Sequence, residues 1–200
     1  GFGKVYRVKE KSTDTIYAAK VSKNKMTITK KEELVSLLRE VNLLSQMNHP
    51  SILKFIGFSS VNFSNKANPV IITELLPNGS LDTIINLEMN GLTPTSWDIT
   101  HKLINIYGVA SAMSYLHMNN IIHRDLKPEN VLEDEYLFPK IADFGLSKVV
   151  HSELTISYQS QAATKGTLAY LAPEIFSTET YSKPGDVYAF AFLTFEVILG

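Results

Sequence analysis

Cysteine is absent from the 200 residues. That excludes disulfides and thiolate metal sites and suits a reducing compartment. An excess of charge of one sign is lacking too. The formal net charge is -1, which points neither to nucleic acid nor to an anionic membrane surface as a partner. No apolar run is long enough to span a bilayer. The longest, Val187 to Leu199, is interrupted by Glu196 and falls short of the roughly 20 residues a membrane helix needs. No secretory signal, internal repeat or low-complexity tract is present. The expected location is cytoplasmic, with membrane anchoring outside this stretch left open. What remains is globular composition: 44% hydrophobic residues, enough for a sizeable core and for one or two domains.

The first part of the chain reads as strands, with Val5, Tyr6 and Val8 in one run and Ile16 to Val21 in another. Leu34, Leu37, Leu38, Val41 and Leu44 recur at helical spacing until Asn48-His49-Pro50 ends the pattern. Ile52 to Phe58 and Val70 to Leu76 read as buried strands joined by the polar hairpin loop Ser59 to Pro69. Pro77-Asn78-Gly79 is a turn, and beyond it the chain becomes helix-rich. A long helix is predicted over Ser96 to Met118, short strands around Ile121, Val131 and Ile141, and a last helix over Asp186 to Leu199. This is an α+β arrangement of two lobes, 1–77 and 78–200, with the boundary near Asn78.

The densest chemistry lies in His123-Arg124-Asp125-Leu126-Lys127-Pro128-Glu129-Asn130. Phosphoryl transfer needs a carboxylate to orient the attacking hydroxyl, a cation to offset charge on the moving group and an oxygen ligand for Mg²⁺. Asp125, Lys127 and Asn130 supply one of each. Asp143-Phe144-Gly145 follows thirteen residues after Asn130, and Asp143 offers the carboxylate oxygen that a hard cation prefers. Alone, this tripeptide is also what a turn after a strand looks like. In Tyr17-Ala18-Ala19-Lys20 the strand period puts Ala18 and Lys20 on one face. That suits a flat base over Ala18 with phosphates at Lys20, although a solvated strand end has the same appearance. Glu40 borders the apolar stripe of its helix and can reach inward to Lys20, or stay an ordinary flank charge. Gly1-Phe2-Gly3-Lys4-Val5 reads either as the end of a glycine-rich phosphate loop or as a flexible terminus.

With these residues in hand, the chain resembles the protein kinase family along nearly its whole length. The resemblance implies a bilobal fold, with a small antiparallel-sheet lobe carrying one main helix and a larger helical lobe. It places MgATP between the lobes and implies these roles. Gly1 and Gly3 belong to the loop over ATP and Val5 lies below it. Lys20 holds the α- and β-phosphates and Glu40 pairs with it. Asp125 is the catalytic base, Lys127 contacts the γ-phosphate, and Asn130 and Asp143 bind Mg²⁺. Thr73 is the gatekeeper, Glu74 to Leu76 the hinge that pairs with adenine, and Leu132 the floor of the adenine pocket. Ala172-Pro173-Glu174 closes the activation segment, and Asp186 anchors the catalytic loop. Lys127-Pro128-Glu129 looks like Ser/Thr kinases, whereas Ile72 to Leu76 and Asp186-Val187-Tyr188 resemble the tyrosine-kinase-like branch. A Ser/Thr kinase of that branch fits both, with a protein substrate as partner.

The segment Ser147 to Thr167 is rich in hydroxyls, and a phosphate there, best on Thr164 or Ser160, would pair with Arg124. A soluble loop naturally rich in hydroxyls reads the same way. Against the family pattern, two loop glycines and the helices after Gly200 are missing, along with the arginine expected to pair with Glu174. This stretch by itself is therefore expected to be poorly soluble, with Phe192 and Phe195 exposed. Ala191 stands where relatives carry glycine. Three other readings compete with an active kinase. A pseudokinase scaffold usually lacks Lys20, Asp125 or Asp143. A small-molecule kinase lacks Ala172-Pro173-Glu174. A non-enzymatic module would leave the two aspartate motifs unexplained.

Overall fold

A computed structural model describes residues 3–23, 31–149, 156–157, 167–178 and 180–200. The chain divides into two compact units, Gly1–Asn48 with Leu53–Leu76, and His49–Ile52 with Pro77–Gly200. The architecture is the expected α+β mixture, a four-stranded antiparallel sheet in the first unit and a largely helical second unit.

In the first unit β1 (Gly3–Lys9), β2 (Ile16–Ser22), β3 (Phe55–Ser59) and β4 (Val70–Glu74) form a sheet of order β1-β2-β4-β3. α1 spans Lys31–Gln46. Its Leu43 and Leu44 are buried, as are Ala19, Val70 and Ile71 of the sheet, so both elements contribute apolar surface to this unit's core. β3 starts three residues later than its apolar run. Ile52 instead makes a parallel bridge to Ile141 in the second unit's own framework, and an irregularity lies between Phe55 and Gly57.

In the second unit α2 (Leu81–Met89) and α3 (Ile99–Met118) precede the short pairs β5 (Ile121–Ile122), β6 (Val131–Glu133), β7 (Pro139–Ile141) and β8 (Lys148–Val149). β9 (Ile156–Ser157) pairs with β10 (Thr180–Tyr181), and α4 (Pro173–Thr178) and α5 (Lys183–Leu199) complete it. Ser80 caps α2 by accepting from Thr83 N, and Asp98 caps α3 by accepting from His101 N. Those backbone donors would otherwise be orphaned. The His101 backbone bond holds the Asp98 carboxyl below its ordinary pKa. β5 pairs with β8 and β6 with β7. These two small ladders pin both ends of the segment 123–130. Gly108 lets α3 lie against β7, because a Cβ there would stand 2.6 Å from Pro139 Cγ and 3.0 Å from Ser51 Oγ.

Candidate active site

Each unit carries one part of the constellation anticipated from sequence. In the first, strand period and register bring the residues together. Ala18 lies opposite Thr73 and Tyr17 opposite Glu74 across β2 and β4. Thr73 is buried and its Oγ1 donates to Glu74 O at 3.1 Å. Glu74 Oε1 accepts from Lys54 N at 2.8 Å, and Glu74 N donates to Lys54 O. Lys20 Nζ lies 2.8 Å from Glu40 Oε1. Glu40 is 5% exposed, so the inward orientation holds and an ordinary flank charge is excluded. A carboxylate so deeply placed needs its cation. Val5 on β1 is exposed and Leu76 half-buried. Gly1 lies outside the described residues. Gly3 meets Ser22 across the ladder, and a Cβ there would strike Val21 O at 2.1 Å.

The second unit holds the catalytic-type loop. Asp125 Oδ2 accepts from Asn130 Nδ2 at 2.8 Å, and the same nitrogen donates to Asp125 O at 2.7 Å. Lys127 Nζ lies 3.2 Å from Asp125 Oδ1. The carboxylate is thus held on both oxygens, and the Asn130 amide is turned so that Oδ1 is its remaining acceptor. Pro128 to Asn130 form a 3-10 turn that fixes this geometry, and Asn130 N donates to Lys127 O. Asn130 O accepts from Ala142 N at 2.8 Å, which ties the loop to the strand end just before Asp143. Asp143 adopts the left-handed conformation with φ 58, one that Asp tolerates better than most residues. Phe144, fully buried, meets the His123 ring edge-on with centroids 5.1 Å apart. Leu132 is half-buried and bridges to Ser80.

The support behind the loop was only partly visible in the sequence. Asp186, 2% exposed, accepts from His123 N and Arg124 N at 2.9 Å each, which holds the loop backbone from the first turn of α5. His117 Nε2 lies 2.8 Å from Asp186 Oδ2 and was not singled out. Its signal was a His in the last turn of α3. His123 Nδ1 accepts from Asp125 N while Nε2 faces Ala142 O, so the ring carries its proton on Nε2. Arg124 has φ 73 and its guanidinium lies 4.4 Å from the Tyr181 ring centroid. Tyr170 Oη donates to Glu196 Oε2 at 2.6 Å. Burial, and then the Glu196 carboxylate, raise the Tyr170 pKa well above normal.

Ser147 is fully buried and donates to His123 O, which removes it from the candidate phosphate acceptors. Thr164, Ser160, Ser152, Thr155 and Tyr158 lie outside the described residues. Among the described residues no three His, Cys, Asp or Glu cluster as a metal site, and no helix is long and apolar enough to cross a membrane.

The family model of the protein kinase domain matches residues 1–200. A cysteine-rich receptor-like protein kinase 38 of Arabidopsis thaliana is 34% identical over 206 residues, covering 100% of this chain and 29% of its own length. A LEAF RUST 10 disease-resistance locus receptor-like protein kinase-like 2.3 of the same plant is 37% identical over 203 residues, 99% of this chain and 29% of its own. Interleukin-1 receptor-associated kinase 1 of Mus musculus is 34% identical over 209 residues, 100% of this chain and 28% of its own. The chain spans under a third of these relatives. On this match, and with the Asp125 motif set in a loop held from α5, the chain belongs to the protein kinase family.

Proposed function

We propose that this chain transfers the γ-phosphoryl group of ATP to Ser or Thr hydroxyls of protein substrates, in intracellular signalling. The observation that carries the reading is the Asp125 carboxylate, gripped on one oxygen by Lys127 and on the other by Asn130. Such a carboxylate is pre-oriented to accept a hydroxyl hydrogen bond, and pre-organisation of this kind lowers the barrier without further rearrangement. In the transfer, the substrate oxygen bonds to the γ-phosphorus as the bond to the ADP oxygen breaks, and the hydroxyl proton leaves toward Asp125. Lys127 offsets charge on the moving group. In the first unit Lys20, held by Glu40, orients the α- and β-phosphates. Gly1, Gly3 and Val5 cover the nucleotide, and Ala18, Thr73, Glu74, Leu76 and Leu132 take the adenine.

The residues fit Mg²⁺. Asn130 Oδ1 and the Asp143 carboxylate are hard oxygen donors, and a two-ligand protein set suits an ion that keeps its waters and binds substrate phosphates. Held by Asn130 and Asp143, Mg²⁺ would supply positive charge to offset the charge that develops on the phosphates during transfer. The proposed specificity for Ser/Thr rests on Lys127-Pro128-Glu129. The receptor-like kinases and the interleukin-1 receptor-associated kinase among its relatives favour a signalling role on the cytoplasmic side.

The test is transfer of labelled phosphate from ATP·Mg²⁺ to a generic protein by the full-length protein. Asp125→Asn and Lys20→Met are each expected to lose on the order of 10²-fold or more in rate. Phosphoamino-acid analysis should return phosphoserine or phosphothreonine. Phosphotyrosine would overturn the acceptor class, and nucleotide binding without transfer would replace the enzyme reading by a scaffold.

A further inference from the structure

The near-zero net charge conceals a segregation. The first unit holds twelve Lys and Arg against six Asp and Glu, and the second seven against fourteen. Within the first unit, three of the twelve cations lie at one end of the sheet. The start of β1, the end of β2 and the β3–β4 loop meet there. Gly3 pairs with Ser22 and Lys4 with Val21, Val21 pairs with Val70, and Ser22 N donates to Pro69 O. Asn68 Nδ2 bonds to Ser22 O at 3.1 Å and Lys23 O at 3.4 Å, which stitches the loop to the end of β2. The segments that build this end, 3–4, 21–23 and 59–70, contain Lys4, Lys23 and Lys66 and no acidic residue. All three lysines are exposed. The acids of the β1–β2 hairpin, Glu10 and Asp14, sit in its turn at the opposite end, where Asp14 pairs with Lys9.

The loop itself is built to display apolar side chains. Asn62 Oδ1 accepts from Ser64 N at 2.9 Å and from Lys66 N at 3.1 Å, while Asn62 N donates to Lys66 O. Asn65 holds a left-handed conformation, φ 57. Ser59 Oγ donates to Val61 O. This closed turn raises Phe63, 65% exposed, beside Val61, 37% exposed. A loop displaying an exposed aromatic, beside segments that carry Lys4, Lys23 and Lys66 and no acids, suits a layer whose surface is anionic and whose interior is apolar. Duplex nucleic acid would satisfy the lysines and leave Val61 and Phe63 in water.

We propose that this end of the sheet docks onto an anionic phospholipid bilayer, with Phe63 entering the headgroup region and Lys4, Lys23 and Lys66 meeting lipid phosphates and carboxylates. The proposal does not depend on the kinase reading. Its test is cosedimentation of the full-length protein with phosphatidylcholine vesicles, with and without phosphatidylserine. Sedimentation is expected only with phosphatidylserine and weakens with added salt. Lys23→Glu with Lys66→Glu should reduce partitioning by more than tenfold, at about fivefold for each basic charge lost. Phe63→Ser should reduce it severalfold, with phosphate transfer to a soluble peptide unchanged in either variant. The one native tryptophan, Trp97, is buried, so Phe63→Trp adds an exposed reporter whose emission should shift to the blue on phosphatidylserine vesicles. Absence of sedimentation overturns the proposal, as does binding that the double charge reversal leaves intact. Sedimentation with an unmoved Phe63→Trp spectrum overturns the insertion and leaves surface adsorption.

Discussion

Glu133 sits fully buried on β6, three residues after Asn130, and neither carboxylate oxygen has a hydrogen-bond partner. Asn105 lies beside it, but its Nδ2 already donates to His101 O and Leu137 O, and its Oδ1 is also unsatisfied. Buried and without a partner in the geometry, these acceptors gain a donor when Glu133 is protonated. Burial pushes its pKa up to about 8, opposed by the Asn105 amide and assisted by the Asp134 charge. The sign follows from linkage. Between the unfolded value of 4.5 and about 8 the folded state binds the extra proton, so stability falls as pH rises through that window and levels off above it. Glu133→Gln, which carries an N–H donor at every pH, should remove this slope. Denaturant melts of the full-length protein between about pH 5 and pH 8.5 would show it, and parallel slopes in parent and variant would refute it. Sequence offered no hint of this, because Val131 to Glu133 reads as a strand in which a Glu is simply solvated. Lys20 and Glu40 were weak signals for a similar reason. Their pairing links β2 to α1 across twenty residues, and no local pattern encodes that contact.

At the scale of elements, apolar period recovered what it encodes and missed what packing decides. The strands β1 and β2 and the helices α1, α3 and α5 follow their hydrophobic patterns closely. α2 has no counterpart among the expected elements, although Ser80 provides its cap and Leu81, Ile84 and Ile85 its buried face. α4 is too short, at six residues, for a 3.6-residue period to declare itself. The start of α5 matters most for chemistry, because its first turn delivers Asp186 to the backbone of His123 and Arg124. Asp186→Asn tests this anchor. An amide presents one acceptor and one donor, so whichever way it turns, one of those backbone N–H groups faces another N–H. An orphaned buried N–H costs about 2 kcal/mol, or roughly 4–8 °C in thermal midpoint for a domain of this size. The turnover number should fall while KM for ATP stays near the parent value, because the loop that carries Asp125 loosens and the first unit is untouched. An equal loss in both parameters would mean that Asp186 supports the unit as a whole rather than the loop.

Across the whole molecule, the charge imbalance between the units bears on substrate choice. The net charge of -1 suggested no preference, since a sum over the chain cannot show that the second unit carries twice as many acids as bases. Three of those acids gather near the catalytic loop. The carboxylates of Glu196, Glu129 and Asp82 all act on Tyr170 to raise its pKa, so they share its neighbourhood. Glu129 is exposed and directly precedes Asn130. On the proposed function, a peptide entering beside Asp125 meets Glu129 as well as Arg124 and Lys127, and the acid's contribution favours encounter with basic sequences over acidic ones. Peptides that place Arg or Lys around the acceptor hydroxyl should exceed their Asp or Glu counterparts by about tenfold or more in kcat/KM at low salt, narrowing as ionic strength rises. Glu129→Gln, which alters none of the groups that hold Asp125, should shrink the ratio while leaving turnover on a neutral peptide unchanged. A ratio indifferent to both salt and Glu129 would assign selectivity to shape rather than charge, because only electrostatic discrimination is screened by added ions.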